Sequence, residues 1–178
     1  MGADPDLGGV SMKTPAQAVL VARSFLGTPY VLGARRKGAG VDCATLLGEY
    51  LIEIGRTTES AMIQAGFYRE CGAGHSFSHD WFLHTRKQEY LRGIMLFGKL
   101  VAETICRPGE APEPGFIALF RSVGSERFNH GAIVTSWPFG VHACDGQVRE
   151  SNLAAHRLTA YRSMDVFDPF VKIEGEPE

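Results

Sequence analysis

Apolar residues recur at helical spacing in the first third of the chain, and in short, nearly continuous apolar runs in the last third, so the pattern predicts helices first and a sheet second. Ala18, Val21, Ala22 and Phe25 form one stripe. Thr14 precedes it as N-cap, Pro15 takes the first helical position, Gln17 completes a capping box, and Gly27 closes the helix. Thr28 to Gly40, rich in Gly, Arg and Lys, reads as a loop long enough to suggest function. A second stripe, Leu46, Leu47, Tyr50, Leu51 and Ile54, predicts a buried helix that opens at Asp42-Cys43 and ends at Gly55.

From 56 to 107 the pattern is weaker and predicts a helical insertion. Ser60 to Gln64 suits a short helix, Phe67 to Cys71 is ambiguous, and Phe82, Leu83, Tyr90, Leu91, Ile94 and Met95 have partial helical spacing. A further helical stretch through Leu96, Leu100 and Val101 is expected to run to about Thr104. Pro108 to Gly115 is a rigid connector. Strands at 116–121, 130–136, 140–144 and 147–150 then make an antiparallel meander, with Val166-Phe167 and Phe170 to Ile173 as an added edge. This order is an α+β pattern. It divides the chain into a tail over 1–13, one catalytic-sized domain over 14–173, and a short tail over 174–178.

The chain has 178 residues, 44% of them hydrophobic and 21% charged, which suits one domain with a sizeable core. A formal charge of −2 gives no field for nucleic acid. The one compact basic run, Arg35-Arg36-Lys37, is either a solvated loop or an electropositive rim that would favour a thiolate or greet an anionic substrate. No apolar run approaches the length that spans a bilayer, and no secretory signal is visible, so a soluble chain made in the cytoplasm is expected. Met1 to Ser11 lacks periodicity and reads as a loose tail. Cys43, Cys71, Cys106 and Cys144 show neither CxxC nor zinc-finger spacing.

Cys43, in the first turn of its helix, faces unpaired N–H groups and the positive end of the helix dipole, both of which favour the nucleophilic thiolate. Core packing is the competing reading of a lone cysteine. Downstream, His130 begins the apolar strand His130 to Thr135, and His142 lies in the next strand across the turn at Ser136 to Phe139. A hairpin can bring two such histidines together as a base and its orienter. As orienter, His142 must be neutral to accept from the base, so activity is expected to fall in acid.

These residues carry a resemblance. Gly27-Thr28-Pro29-Tyr30 with Gly33, Asp42-Cys43 opening a helix, His130 at a strand start and Val141-His142-Ala143 twelve residues later resemble the NlpC/P60 family of papain-like cysteine peptidases. Asp80 to His84, Glu89-Tyr90-Leu91 and His130 to Pro138 are similar to its phage and prophage-encoded branch. The resemblance implies a papain-like fold, with the Cys43 helix packed on a C-terminal antiparallel sheet. It implies a Cys43, His130, His142 triad acting on a peptidoglycan stem peptide at the D-Glu to diamino-acid bond, and phage tail proteins as partners. Tyr30 would help form the oxyanion hole, and Asp42 would bind a free substrate amine as well as capping the helix. Two departures stand out: Ala44-Thr45 replaces the family's Ser-Gly, and Gly115-Phe116 its Gly-Asp. The first weakens specificity for a free N-terminal L-Ala.

No cofactor or metal is expected. His75, His79 and His84 have spacing for two ligands on a helical face, but no cysteine or carboxylate completes a zinc set. Cys144 shares the face of His142 by strand alternation, and Trp81 and Trp137 are candidates for a groove wall or for core. Another thiol amidase or acyltransferase on the same fold, and a tail protein with a silent triad, remain alternative functions.

Overall fold

The computed structural model describes residues 11–64, 99–102, 111–122, 130–144, 146–155 and 161–171. The readings made above for Cys71, His75, His79, Trp81, His84 and Cys106 lie outside these residues. Helix α1, Pro15–Arg23, begins as its sequence dictates: Thr14 accepts from the Gln17 backbone, and the Gln17 side chain accepts from the Thr14 N–H. A short two-stranded ribbon follows, β1 (Arg35–Arg36) against β2 (Gly40–Val41), within the stretch expected to be loop. Helix α2, Cys43–Glu53, and helix α3, Glu59–Gln64, come next.

Among the described residues, six antiparallel strands form the main sheet: β3 (Lys99–Ala102), β4 (Ile117–Ser122), β5 (His130–Ser136), β6 (Phe139–Cys144), β7 (Gln147–Asn152) and β8 (Tyr161–Asp168). Their spatial order is β3-β8-β4-β5-β6-β7. The expected meander from β4 to β7 is present, and Trp137-Pro138, with a cis peptide, turns β5 into β6. Two expectations are corrected. Lys99 to Ala102 is a strand paired with Val166 to Asp168, where helix was expected through Leu100 and Val101. The partial helical spacing there yields to ladder hydrogen bonds along β8, a tertiary override of local pattern. Correspondingly, Val166-Phe167 is no edge: β8 runs inside the sheet, between β3 and β4.

Alternation along the strands gives the sheet two apolar faces. On one, Ile117, Leu119, Ile133, Val141, Ala143 and Val148 join Ala18, Ala22 and Phe25 near or on α1 and Leu46, Leu47, Tyr50 and Leu51 of α2. On the other, Ala118, Phe120, Ala132, Val134, Leu153 and Val166 form a second cluster. Each large apolar side chain that is fully buried here contributes about 1.5–3 kcal/mol. The first cluster fixes α2 against β5 and β6 and thereby sets where Cys43 stands.

One polar tie reinforces this docking. The buried Tyr50 hydroxyl donates to the Gly115 carbonyl at 2.6 Å, linking the middle of α2 to the entry of β4. Gly115 has φ +89°, and a Cβ there would meet the Phe170 ring at 2.8 Å and the Tyr50 hydroxyl at 3.3 Å. Only glycine meets both demands at that turn.

Candidate active site

Cys43 is the first residue of α2 and is buried at 5% exposure. Asp42 before it is the N-cap: Oδ1 accepts from the Ala44 N–H at 2.9 Å and the Thr45 N–H at 2.8 Å. Its other oxygen, Oδ2, accepts from the Gly33 N–H at 2.8 Å, which ties the preceding loop to the helix start. Thr45 completes the box, its Oγ1 accepting from the Asp42 N–H at 2.8 Å and donating to the Ala34 carbonyl at 2.6 Å. Asp42 and Thr45 are both 0% exposed, so the charge next to the thiol is held by protein donors. The Ala44-Thr45 departure is therefore built into the helix cap.

The segment ahead of this cap is pinned on both sides. The Gly27 N–H donates to the Val148 carbonyl at 2.9 Å, the Tyr30 N–H to the Gly146 carbonyl at 2.8 Å, and the Val41 N–H to the Pro29 carbonyl at 3.0 Å. Tyr30 thus lies between β7 and the residues that lead into Cys43. Its hydroxyl pKa is pushed up to about 12, by burial first and then by the charges of Cys43 and Asp42. Tyr30 accordingly stays a hydrogen-bond donor at neutral pH.

The basic run is largely neutralised. Arg35 pairs with Glu49 and Glu59, each at 2.9 Å, and Lys37 with Glu53 at 2.7 Å while lying over the Phe25 ring at 4.6 Å. It clamps the β1–β2 ribbon to the helices, with Arg35 partly buried and Arg36 and Lys37 exposed.

His130 opens β5 and His142 lies within β6, both buried. Ile133 pairs with Val141, so alternation sends Ala132 and His142 to the opposite face, with His130 two residues earlier on the same side. His130 Nε2 lies 2.8 Å from His142 Nδ1, with the rings edge to face at 5.1 Å between centroids. Phe120 backs the His130 ring at 6.1 Å. Behind His142, its Nε2 meets Ser151 Oγ at 2.5 Å and Cys144 Sγ at 3.5 Å. Cys43 and Cys144 are both reduced thiols.

Of the residues singled out from sequence, the structure thus brings His130 against His142, Cys144 beside His142, and Tyr30 into electrostatic reach of Cys43 and Asp42. Trp137, partly buried, packs against the second apolar cluster. Sequence reasoning missed Ser151. Its signal was the tight turn at Gly146, which pairs His142 with Arg149 and so sets Ser151 diagonally across from His142. Among the described residues, no group of three His, Cys, Asp or Glu side chains could hold a metal ion. Nor is any described helix long and apolar enough to cross a membrane.

Solved structures place the fold. Over 86% of this chain and 98% of the other, it is similar to the NlpC/P60 domain of the peptidoglycan hydrolase SagA, with TM-score 0.51 and 15% identity. NlpC1 from Trichomonas vaginalis matches with TM-score 0.57 and 15% identity, over 91% of this chain; the chain spans about half of NlpC1, 47% of its length. No family model and no curated protein matches the chain. The fold is that of NlpC/P60 domains: helices packed on an antiparallel sheet.

Proposed function

We propose that this chain is a cysteine peptidase that hydrolyses an amide bond in bacterial peptidoglycan stem peptides, with Cys43 as nucleophile, His130 as base and then acid, and His142 as orienter. The observation that carries this reading is the 2.8 Å bond between His130 Nε2 and His142 Nδ1. That bond occupies Nε2 of the base, so Nδ1 is the nitrogen that exchanges a proton with the Cys43 thiol. The SagA domain, a peptidoglycan hydrolase by name, supports the substrate class through the shared fold.

In the proposed reaction His130 Nδ1 takes the thiol proton and the thiolate adds to the amide carbonyl. The Tyr30 hydroxyl and the Cys43 N–H receive the resulting oxyanion. His130 then returns the proton to the leaving amine as the C–N bond breaks, which leaves an acyl-thioester. Water, deprotonated by the same imidazole, releases the acid and regenerates the thiol. The expected bond is the D-Glu to diamino-acid bond, and a phage tail-associated role rests on the sequence resemblance. Asp42 and Thr45 are fully engaged in the helix cap. This favours a substrate bound without a free amine at that position.

Digestion of purified peptidoglycan and of the free L-Ala-γ-D-Glu-diaminopimelate tripeptide, read by mass spectrometry beside Cys43→Ala, tests the reading. Cleavage that disappears in the variant, with intact wall preferred, is expected. Wild-type inertness toward both substrates would sink it.

A further inference from the structure

His142 carries a partner at each ring nitrogen: His130 Nε2 at Nδ1, 2.8 Å away, and Ser151 Oγ at Nε2, 2.5 Å away. A neutral imidazole holds one proton, so the two contacts are coupled. With the proton on Nε2, His142 donates to Ser151, and its Nδ1 accepts from His130 Nε2–H. His130 then keeps its lone pair on Nδ1, the form that can take a proton from a thiol. If Ser151 donated instead, the His142 proton would sit on Nδ1, His130 Nε2 would have to accept, and Nδ1 of His130 would carry the proton. That arrangement has no base.

The sheet brings the hydroxyl to this spot. Ser151 pairs with Gly140, and His142 with Arg149, so Ser151 and His142 are diagonal neighbours on one face. A Cβ at residue 140 would lie 2.8 Å from the Ile133 carbonyl oxygen and 2.5 Å from Leu153 Cδ1, so the position opposite Ser151 calls for glycine. Ser151 is partly exposed, so its hydroxyl can accept from His142 while its own hydrogen turns to water. Once His130 is doubly protonated during turnover, both its nitrogens must donate, and only the Ser151-accepting arrangement offers it an acceptor at His142 Nδ1.

We infer that Ser151 is a positioning residue, which accepts from His142 Nε2–H and thereby fixes the tautomers of His142 and His130. The inference rests on the base role proposed for His130, but its first readout needs no substrate. Histidine side-chain nitrogens report the tautomer directly in two-bond proton–nitrogen correlation spectra of histidine-labelled protein, with the His142 signals assigned by their loss in His142→Gln. The wild type is expected to show the Nε2–H tautomer at His142. Ser151→Ala is expected to move it toward Nδ1–H and to lower kcat on peptidoglycan about three- to tenfold with KM unchanged, the loss of one neutral hydrogen bond. Ser151→Thr restores both. Cys144→Ala, which removes the other group near Nε2, leaves the tautomer as it was. A wild-type His142 protonated on Nδ1, or a spectrum unchanged in Ser151→Ala, overturns the inference. A wild type inert on peptidoglycan whose tautomer still depends on Ser151 would defeat the peptidase reading and leave the positioning role standing.

Discussion

Replacing Asp42 by alanine removes the acceptor on which the start of α2 is built. Three backbone N–H groups, those of Gly33, Ala44 and Thr45, lose their partner at once, at a site with 0% exposure. Loss of an N-cap costs about 0.5–2 kcal/mol, and leaving the buried Gly33 donor unsatisfied adds about 1–3 kcal/mol. The expected destabilisation is therefore about 3 kcal/mol, a shift of roughly 1.5 M in the urea midpoint for a slope near 2 kcal/mol/M. Asp42→Ser retains a cap oxygen but cannot reach Gly33 as well, so it should lose about half as much. Urea unfolding followed by far-UV circular dichroism reads both variants. An alanine variant within about 0.5 kcal/mol of wild type would refute the view that this carboxylate holds the helix start and the loop together.

Other consequences are more local. Gly115→Ala puts a side chain at φ +89° and against the Phe170 ring, and should cost about 2–4 kcal/mol in thermal or urea unfolding. Tyr30→Phe should lower kcat about 100-fold if, as proposed, its hydroxyl is an oxyanion donor. Because its pKa is pushed up to about 12, wild-type activity should show no alkaline limb below pH 10 that Tyr30→Phe removes. Glu150 is held below its ordinary 4.5, chiefly by hydrogen bonds from Arg23, with Thr135 also donating to it. A depressed carboxylate pKa stabilises the fold above the unfolded-state value and loses that contribution as pH falls through the folded one. The stability gap between wild type and Glu150→Gln should thus be present at pH 7 and close below about pH 4. Solvent screening keeps it to about 1 kcal/mol, since the Arg23 side chain is 45% exposed.

The parts of this fold that were legible in advance are those fixed by local chemistry. The cap at Thr14, with Gln17 three residues on, and the cap at Asp42 are short-range hydrogen-bond patterns that any reader of the chain can place. The β5–β6 hairpin was equally legible, because apolar runs flank a turn, and with it the meeting of His130 and His142. What escaped were long-range pairings. Whether Lys99 to Ala102 extends or coils depends on Val166 to Asp168 of β8, more than sixty residues further along the chain, and on the hydrogen bonds that strand offers. The place of β8 inside the sheet was hidden for the same reason. Ser151 escaped because the expected strand stopped at Glu150, one residue short. From sequence Thr45 reads only as a departure from the family pattern, while its hydroxyl bridges Asp42 and Ala34.

The proposed activation of Cys43 by the His130–His142 pair is tested without any substrate by the rate at which iodoacetamide alkylates Cys43. Peptide mapping separates Cys43 from the other three cysteines. Alkylation at pH 6–7 is expected well above the rate of an ordinary thiol, collapsing in His130→Ala and falling in His142→Ala. A Cys43 that reacts as an ordinary thiol in the wild type, with a rate indifferent to both histidines, would contradict it.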